Sequence, residues 1–406
     1  LFSRLILTHG SKGDVQFWSL HKDQHNWKPD LPLTGHYKSI EGCSWDPAGN
    51  YLLTTSLDQT TRIFCPDLQG TWHEIARPQI HGYDLHCIST IDGSTFISGA
   101  DEKVLRVFKA PDFFTTRLNI ITGKGGSDTE IGNVLPTFVP ALGLSNRADS
   151  SNQDEQRTAI PAQMPLGSPP SESDLCRHTL WPEVDKLYGH GNELFCVAVH
   201  PGMVLAASSA KANLSADAGI RFWSKTETTW LMVGHMEVHS LTVISLRFSP
   251  SGRYLLATSR DRSWSLIEII HKEDGSYSFN LIRREEAHSR IIWAGVWESD
   301  DSFITVSRDK KVKFWTCSPL ALVQTLELEN GATSADIMQC SNRTKYLAVG
   351  QENGQLSIFS KVASEWKPHE TSQVSSDSIN QVSWRPNAVE LACISKDRSL
   401  RILKLS

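Results

Sequence analysis

Histidine, aspartate and serine recur together along this 406-residue chain, and these are the side chains with which many hydrolases carry out nucleophilic catalysis. In three of four pairs a histidine precedes an aspartate by 21 or 22 residues. The pairs are His36 and Asp58, His190 and Asp217, His239 and Asp261, and His288 and Asp309. A catalytic site is normally unique, whereas this set is repeated. We therefore predict that the pairs are structural staples and that the chain has no catalytic residue.

Other chemistry finds little support in the sequence. It has no Gly-rich phosphate loop, no nucleophile elbow and no C-x-x-C pair among its eight cysteines, so we predict no cofactor and no metal site. Lys and Arg total 40 against 45 Asp and Glu, a net charge of −5, so any nucleic-acid contact must be local. No apolar run approaches the roughly 20 residues of a membrane helix, and we expect no membrane association. Scattered cysteines favour reduced thiols in an intracellular protein.

Short β-rich runs that end in a large apolar residue recur from one end of the chain to the other. They end at positions 18, 64, 108, 223, 267, 315, 359 and 403. The intervals are 44 to 48 residues, except for one of 115. A period near 44 is typical of propeller blades with four antiparallel strands. The long interval therefore indicates an insertion within one blade.

Each repeat also carries a turn of the form Ser-x-Asp, as at 259–261, 307–309 and 395–397. With the upstream histidines, this pattern resembles the WD-repeat family. The resemblance implies that each His–Asp pair ties the loop before the innermost strand to the next tight turn. Three repeats depart from the pattern, with a shifted His81, with Thr333 and Asn353, and with Asp377. We expect apolar packing to hold those blades.

The sequence predicts an all-β fold with one seven-bladed propeller over residues 21–406. Residues 1–20 are interpreted as the remnant of a preceding repeat. Residues 27–33 are expected to supply the outer strand of the last blade, which would close the ring. The insertion, 122–185, is expected to be largely disordered, and 168–174 to be its least structured part.

Two stretches of the insertion, 138–146 and 180–188, are richer in apolar residues than a linker. One interpretation is that they pack on the edge of the ring. The other is that they form a docking segment that orders when a partner binds.

Several segments outside the repeat pattern indicate a narrower family. They are SLDQTTR at 56–62, RPQIHGYD at 77–84, ALGLSN at 141–146, LWPE at 180–183 and KLYGHG at 186–191. These segments are similar to the WD-repeat subunit of the Elongator complex. The resemblance implies two tandem seven-bladed propellers, of which this chain would be the second with the tail of the first.

The same resemblance implies a noncatalytic scaffold. Elongator modifies wobble uridines of tRNA in an acetyl-CoA-dependent reaction, and this subunit would bridge the acetyltransferase subunit and the largest scaffold subunit. A location in cytoplasm and nucleus is expected. The alternative is a generic WD-repeat adaptor that binds a peptide of another partner through the central pore. An enzymatic pore would need polar inner strands, where Ala198, Val243, Val296 and Val382 are apolar.

Basic residues gather in the turns that WD propellers place on one face. They are Arg260, Arg262, Arg290, Arg308, Lys310, Lys396 and Arg398, with Arg283, Arg284 and Lys311 as a possible extension. One interpretation is a solvated surface neutralised by neighbouring carboxylates. The other is a patch that contacts tRNA phosphates or an acidic partner surface. In the second case, charge reversal at Arg260, Arg262 and Arg290 should leave the fold intact but weaken assembly or RNA association.

Overall fold

The computed structural model describes residues 5–10, 15–21, 26–30, 33–124, 167–227, 229–340, 343–363 and 365–405. These residues form eight antiparallel sheets. The first sheet contains β1 (Leu5–His9), β2 (Val15–His21) and β3 (Asn26–Pro29). No helix in this part of the chain is long and apolar enough to cross a membrane.

The other seven sheets are the blades of a ring, numbered 1 to 7 in chain order. Blade 1 contains β4 (Ile40–Trp45), β5 (Leu52–Ser56), β6 (Thr60–Pro66) and β7 (Trp72–Ile80), and blade 2 contains β8 (Leu85–Asp92), β9 (Thr95–Ala100), β10 (Val104–Lys109) and β11 (Glu183–Tyr188). Blade 3 contains β12 (Leu194–Val199), β13 (Leu205–Ala210), β14 (Ile220–Lys225) and β15 (Trp230–Met236), and blade 4 contains β16 (Val243–Phe248), β17 (Tyr254–Ser259), β18 (Ser263–His271) and β19 (Tyr277–Glu286). Blade 5 contains β20 (Ile292–Ser299), β21 (Ser302–Ser307), β22 (Lys311–Cys317) and β23 (Leu320–Glu327), blade 6 contains β24 (Ala332–Gln339), β25 (Lys345–Gln351), β26 (Gln355–Val362) and β27 (Glu365–Gln373), and blade 7 contains β28 (Ile379–Trp384), β29 (Glu390–Ser395) and β30 (Leu400–Lys404).

The innermost strands close the ring. Each of β4, β8, β12, β16, β20 and β24 contacts the innermost strand of the next blade, and β28 contacts β4. All seven innermost strands have a register shift next to their first residue, as between Ile40 and Gly42 and between Ile379 and Gln381. Such bulges increase local twist. The predicted seven-bladed WD-type propeller is confirmed.

Apolar side chains fill the space between neighbouring blades. Successive side chains of a strand point to opposite faces of its blade, and each face packs against a neighbouring blade. For this reason the second strand of blade 1 is buried at every position. Trp181, Trp223 and Trp264 are among the largest fully buried side chains. The core is therefore a series of sheet-to-sheet layers around the channel.

The predicted closure by residues 27–33 is wrong. Asn26–Pro29 pairs with β2, its neighbour in sequence, where a short connection makes the antiparallel pairing local. Blade 7 consequently has three strands in the described chain. The assignment of 1–20 to a preceding repeat stays a prediction.

Side chains close the seam between blades 7 and 1. The Gln381 amide donates to the carbonyl oxygen of Cys43 (2.9 Å) and accepts from its N–H (3.0 Å). Asn380 Nδ2 donates to the Ile40 carbonyl (2.8 Å), and the Trp45 indole donates to the Ser383 carbonyl (3.1 Å). A side-chain amide thus mimics one rung of a β-ladder between the two innermost strands.

The insertion is more ordered at its ends than the sequence predicted. Helix α1 (Asp112–Ile121) precedes it, and helix α2 (Glu172–His178) overlaps the segment 168–174 that was expected to be the least structured. Ser171 and Asp174 form a capping box at the start of α2. Glu183–Tyr188 is the outer strand of blade 2, so the edge-packing interpretation of 180–188 is the one that the structure supports. The stretch 138–146 lies outside the described residues.

Buried charges attach α2 to blade 1. The Arg77 guanidinium donates to both carboxylate oxygens of Glu172 (2.6 and 2.7 Å) and to Glu74 Oε1 (2.6 Å). Glu74 also accepts from Arg62 (3.1 Å). Arg62, Glu74 and Arg77 are each at most 5% exposed. Because their charges alternate in sign, this row of side chains carries buried charge with mutual compensation.

Candidate interaction face

One face of the ring is built from the turns between the second and third strands of each blade and the loops that precede the innermost strands. A backbone N–H in the turn donates to a carbonyl in the loop in every blade. The donor and acceptor pairs are Leu57 and Ser39, Asp101 and Asp84, Lys211 and Glu193, Arg260 and Thr242, Arg308 and Ile291, Glu352 and Gly331, and Lys396 and Ser378. The backbone therefore holds this face in the same way seven times, whatever the side chains are.

Side-chain staples reinforce that tie in blades 1, 4 and 5. The imidazole Nδ1 donates to the aspartate at 2.8 Å from His36 to Asp58, at 3.0 Å from His239 to Asp261, and at 2.9 Å from His288 to Asp309. The Nε2 atom of each ring contacts a hydroxyl at 2.8 to 2.9 Å. Those hydroxyls belong to Thr54, Ser265 and Thr305. Both ring nitrogens are thus occupied by internal partners.

Burial and hydrogen bonding set the charge states of these groups. Burial by itself would raise the pKa of Asp58 and of Asp261. The hydrogen bonds and charges of the neighbouring groups, those of His36 and His239 first among them, together outweigh burial and hold both pKa values below the usual range. Burial lowers the pKa of His36 and of His288. For His36 and Asp58, these shifts favour a neutral imidazole that donates to an ionised carboxylate.

The predicted staple between His190 and Asp217 does not form. His190 Nε2 contacts the Ser208 hydroxyl (2.7 Å), and its Nδ1 accepts from Arg221 Nη1 (3.1 Å). Asp217 lies in a 3₁₀ turn, Ser215–Asp217, which the longer connection of blade 3 accommodates. Burial lowers the pKa of His190 to about 3, and the Arg221 charge adds to the effect. Here a cation replaces the carboxylate.

The repeats that depart from the sequence pattern use other polar ties. In blade 2, His81 contacts Glu102 Oε1 (3.0 Å), and Arg106 donates to the same carboxylate. In blade 7, the Ser375 hydroxyl donates to Asp397 (2.7 Å). Apolar packing is therefore not the sole support of blades 2 and 7.

The structure places all seven predicted basic residues on this face with exposed side chains. Arg262 pairs with Glu286 (2.7 Å), and Arg308 pairs with Glu352 (2.7 Å). Within the described ranges, no carboxylate lies within 4.0 Å of the other five cations. They are Arg260, Arg290, Lys310, Lys396 and Arg398. We call these five residues the unpaired cations.

The suggested extension of the basic patch is neutralised. Arg283 pairs with Glu285 (3.1 Å), Arg284 with Asp261 (3.1 Å), and Lys311 with Glu327 (3.5 Å). Their positive charges are compensated, so they add little to the field of the patch.

Three of the basic residues occupy a backbone conformation that favours glycine. Arg262 and Lys310 have φ 69°, and Arg398 has φ 71°. A side chain in the left-handed region costs about 1 kcal/mol, and blade 6 has Gly354 (φ 83°) at the equivalent turn. The equivalent residue of blade 1, Gln59 (φ 69°), is uncharged, so the same turn forms with or without a cation, and in blades 4, 5 and 7 it carries an exposed cation.

Nothing in the repeat pattern marks Arg221, Gln381 or the Arg77 cluster as structurally important. The Ser171-x-x-Asp174 capping signature was the one available signal for the helix that Arg77 anchors. Among the described residues, no group of three or more His, Cys, Asp and Glu side chains is arranged to hold a metal ion.

Comparison with known proteins agrees with the fold. The family model for the WD domain, G-beta repeat, matches residues 27–65, 230–267 and 279–316. The chain is 37% identical to Elongator complex protein 2 of Danio rerio over 421 residues, which cover 92% of this chain and 50% of the relative. It is 40% identical to the Homo sapiens protein of that name over 77% of this chain and 41% of the relative, and 36% identical to the Saccharomyces cerevisiae protein over 99% and 55%.

The chain thus spans about half the length of the curated relatives it matches. The closed ring, the repeated turn geometry and the identity over most of the chain agree with one another. On that evidence, the chain belongs to the WD-repeat family of Elongator complex protein 2.

Proposed function

We propose that this chain is a noncatalytic scaffold of an Elongator complex that bridges the acetyltransferase subunit and the largest scaffold subunit. Through that role it would support wobble-uridine modification of tRNA, in cytoplasm and nucleus. The observation that carries the proposal is 35–40% identity to proteins named Elongator complex protein 2. A generic WD-repeat adaptor would not be expected to reach this identity over 77 to 99% of the chain.

The state of the His–Asp pairs supports a noncatalytic role. His36, His239 and His288 are 3 to 7% exposed, and both nitrogens of each ring have internal partners. A general base must reach the proton that it removes. These imidazoles cannot do so without breaking the ties between loop and turn.

We further propose that the unpaired cations contact tRNA phosphates or an acidic surface of a partner subunit. Unpaired, exposed guanidinium and ammonium groups can pair with phosphate or carboxylate without first losing a carboxylate partner. Arg260, Arg290 and Lys310 lie on the neighbouring blades 4 and 5. Arg262 is the weaker choice for substitution because Glu286 already compensates its charge.

The test combines R260Q, R290Q and K310Q in one variant. The matched control neutralises three exposed lysines away from this face, K225Q, K272Q and K367Q. We expect the first variant, and not the control, to lose co-purification with the two subunits or to bind tRNA more weakly. If tRNA is the ligand, the salt dependence of binding should flatten by about one unit of slope for each lost phosphate contact.

Two outcomes would contradict parts of this proposal. If the unaltered chain fails to co-purify with the acetyltransferase subunit at near-equal amounts, the scaffold role is wrong and a generic adaptor is favoured. If both variants behave like the unaltered chain in co-purification and in tRNA binding, the unpaired cations are a solvated surface.

A further inference from the structure

The channel has a second polar site at its opposite end, where the first and second strands of the blades connect. A cavity of about 220 Å³ opens there, and residues of blades 3, 4, 5 and 6 line it. Its lining includes Arg247, Phe248, Ser249, Val296, Trp297 and Asp336. Drug-sized ligands occupy larger cavities, of roughly 300 Å³ or more. This cavity suits one side chain and the short stretch of backbone that carries it.

Arg247 is the unusual member of this lining. It lies in innermost strand β16 and is half-buried, yet its guanidinium has no hydrogen bond and no carboxylate within 4.0 Å among the described residues. Its carbonyl accepts from the Trp297 indole (2.8 Å), so the backbone is fixed. A half-buried guanidinium has several N–H donors and gains from a partner that satisfies them.

The electrostatic reach of Arg247 places its charge in the channel. Burial raises the pKa of Cys43, of Cys196 and of Asp336, and the Arg247 charge acts against that rise at all three. These residues belong to blades 1, 3 and 6. A charge on blade 4 that influences three other blades points towards the axis of the ring.

Asp336 is the other polar group of the cavity, but it already has a structural role. Its Oδ2 accepts from the backbone N–H of Trp384 (2.7 Å), which joins blades 6 and 7. Asp336 and Arg247 both line the cavity, and their side chains form no ion pair within 4.0 Å. The N–H edge of one guanidinium matches the two oxygens of one carboxylate, which favours a ligand with a single carboxylate group. The apolar walls, Phe248, Val296 and Trp297, suit a short aliphatic stem.

We propose that this end of the channel binds a glutamate or aspartate of an extended peptide segment from a partner protein, with its carboxylate on the Arg247 guanidinium. The site is on the opposite end of the ring from the unpaired cations. It does not depend on the scaffold role, because its test uses this chain alone.

The experiment is a titration of the 406-residue chain with the peptide acetyl-Gly-Ala-Glu-Ala-Gly-amide and with its glutamine counterpart. The readout is the indole N–H signal of Trp297 in ¹⁵N-tryptophan-labelled protein, assigned with W297F. Trp297 lines the cavity and bonds to Arg247, so its signal reports occupancy. We expect a saturable shift with the glutamate peptide and about tenfold or more weaker binding of the glutamine peptide.

Two variants test whether the Arg247 guanidinium binds the carboxylate. R247Q should weaken binding of the glutamate peptide by about tenfold or more. The matched control is R253Q, an arginine of the same blade that is 62% exposed and pairs with Glu268 outside the cavity, and it should bind normally. The comparison of the two peptides on the unaltered chain does not depend on how R247Q folds.

Three results would overturn the proposal. The first is equal binding of the two peptides, including no shift with either up to millimolar concentration. The second is unchanged binding in R247Q. The third is displacement of the glutamate peptide by an equal concentration of inorganic phosphate, which would mean that a small anion occupies the cavity.

Discussion

Asp261 shows how one carboxylate organises a blade. It accepts from the imidazole of His239 (3.0 Å), from the backbone N–H of Ser240 (3.0 Å) and from the backbone N–H of Ser263 (3.0 Å). The first two donors come from the loop before β16, and the third comes from the start of the third strand, β18. Because the hydrogen bonds keep the pKa of Asp261 below its usual range, the carboxylate stays ionised and retains its acceptor oxygens.

The residue-scale prediction compares two aspartates that were both predicted to form a staple with a histidine. D261N turns one acceptor oxygen into a donor group and should lower the free energy of unfolding by about 2 kcal/mol, since hydrogen bonds to a charged group are lost. In the described structure Asp217 has no side-chain hydrogen bond or ion pair, so D217N should change it by less than about 0.5 kcal/mol. Urea unfolding of both variants measures the difference. Equal losses would refute the assignment.

The spacing of residues explains which pairs could be predicted. His36 and His239 stand 22 residues before their aspartates, which fits one loop, two strands and one tight turn. His190 and Asp217 are 27 residues apart, and the five extra residues carry Asp217 into its 3₁₀ turn. The departure in spacing was visible in the sequence. The contact of Arg221 with His190 could not be predicted, because nothing in the residue spacing marks Arg221 as its partner.

At the scale of elements, helix α2 is stabilised by its tertiary contacts, above all by a buried ion pair, because it is too short to be stable alone. It has seven residues, too few for a helix that is stable alone. Its capping box fixes the start, Leu175 is fully buried, and Glu172 pairs with Arg77. After the end of α2, the backbone N–H of Trp181 donates to the Pro78 carbonyl (2.9 Å). The end of the insertion is thereby fastened to β7.

The element-scale prediction is that E172Q loosens this attachment. The substitution removes one of the two carboxylate charges beside Arg77 and leaves only that of Glu74. We expect the free energy of local unfolding of α2 to fall by about 2 kcal/mol. Hydrogen exchange of the amides from Leu175 to Trp181 should become faster. The control is R177Q, an exposed residue of the same helix, which should leave exchange unchanged. Equal exchange in E172Q and R177Q would contradict a role for the buried pair.

The repeat predicted most elements, and its failures have physical causes. Strand β5 and its equivalents recur with the period, so their positions follow from the sequence. The helix at Glu172–His178 lies in a segment rich in Ser and Pro, a composition that suggests disorder, but its cap and its tertiary partner overcome that tendency. The pairing of Asn26–Pro29 could not be predicted because a short strand can join either of two open sheet edges.

At the scale of the whole molecule, the ring depends on contacts between residues more than 330 positions apart. Gln381 is 338 residues from Cys43, and Arg385 Nε donates to the Gly49 carbonyl (2.7 Å) across 336 residues. Ring closure by such distant contacts is entropically costly, although the cost rises slowly with loop length. The seam between blades 7 and 1 is therefore where closure depends on a few specific hydrogen bonds.

We predict that Q381A weakens the seam without disturbing the individual blades. The change removes two hydrogen bonds and leaves the N–H and carbonyl of Cys43 without this partner, so the free energy of unfolding should fall by about 2–3 kcal/mol. S245A is the matched control, because Ser245 has the equivalent position in blade 4 and no side-chain hydrogen bond in the described structure, and it should stay within about 0.5 kcal/mol. Hydrogen exchange in Q381A should increase first in β4 and β28. Uniform faster exchange over all seven blades would show instead that the ring opens as one unit and that the seam is not its weakest joint.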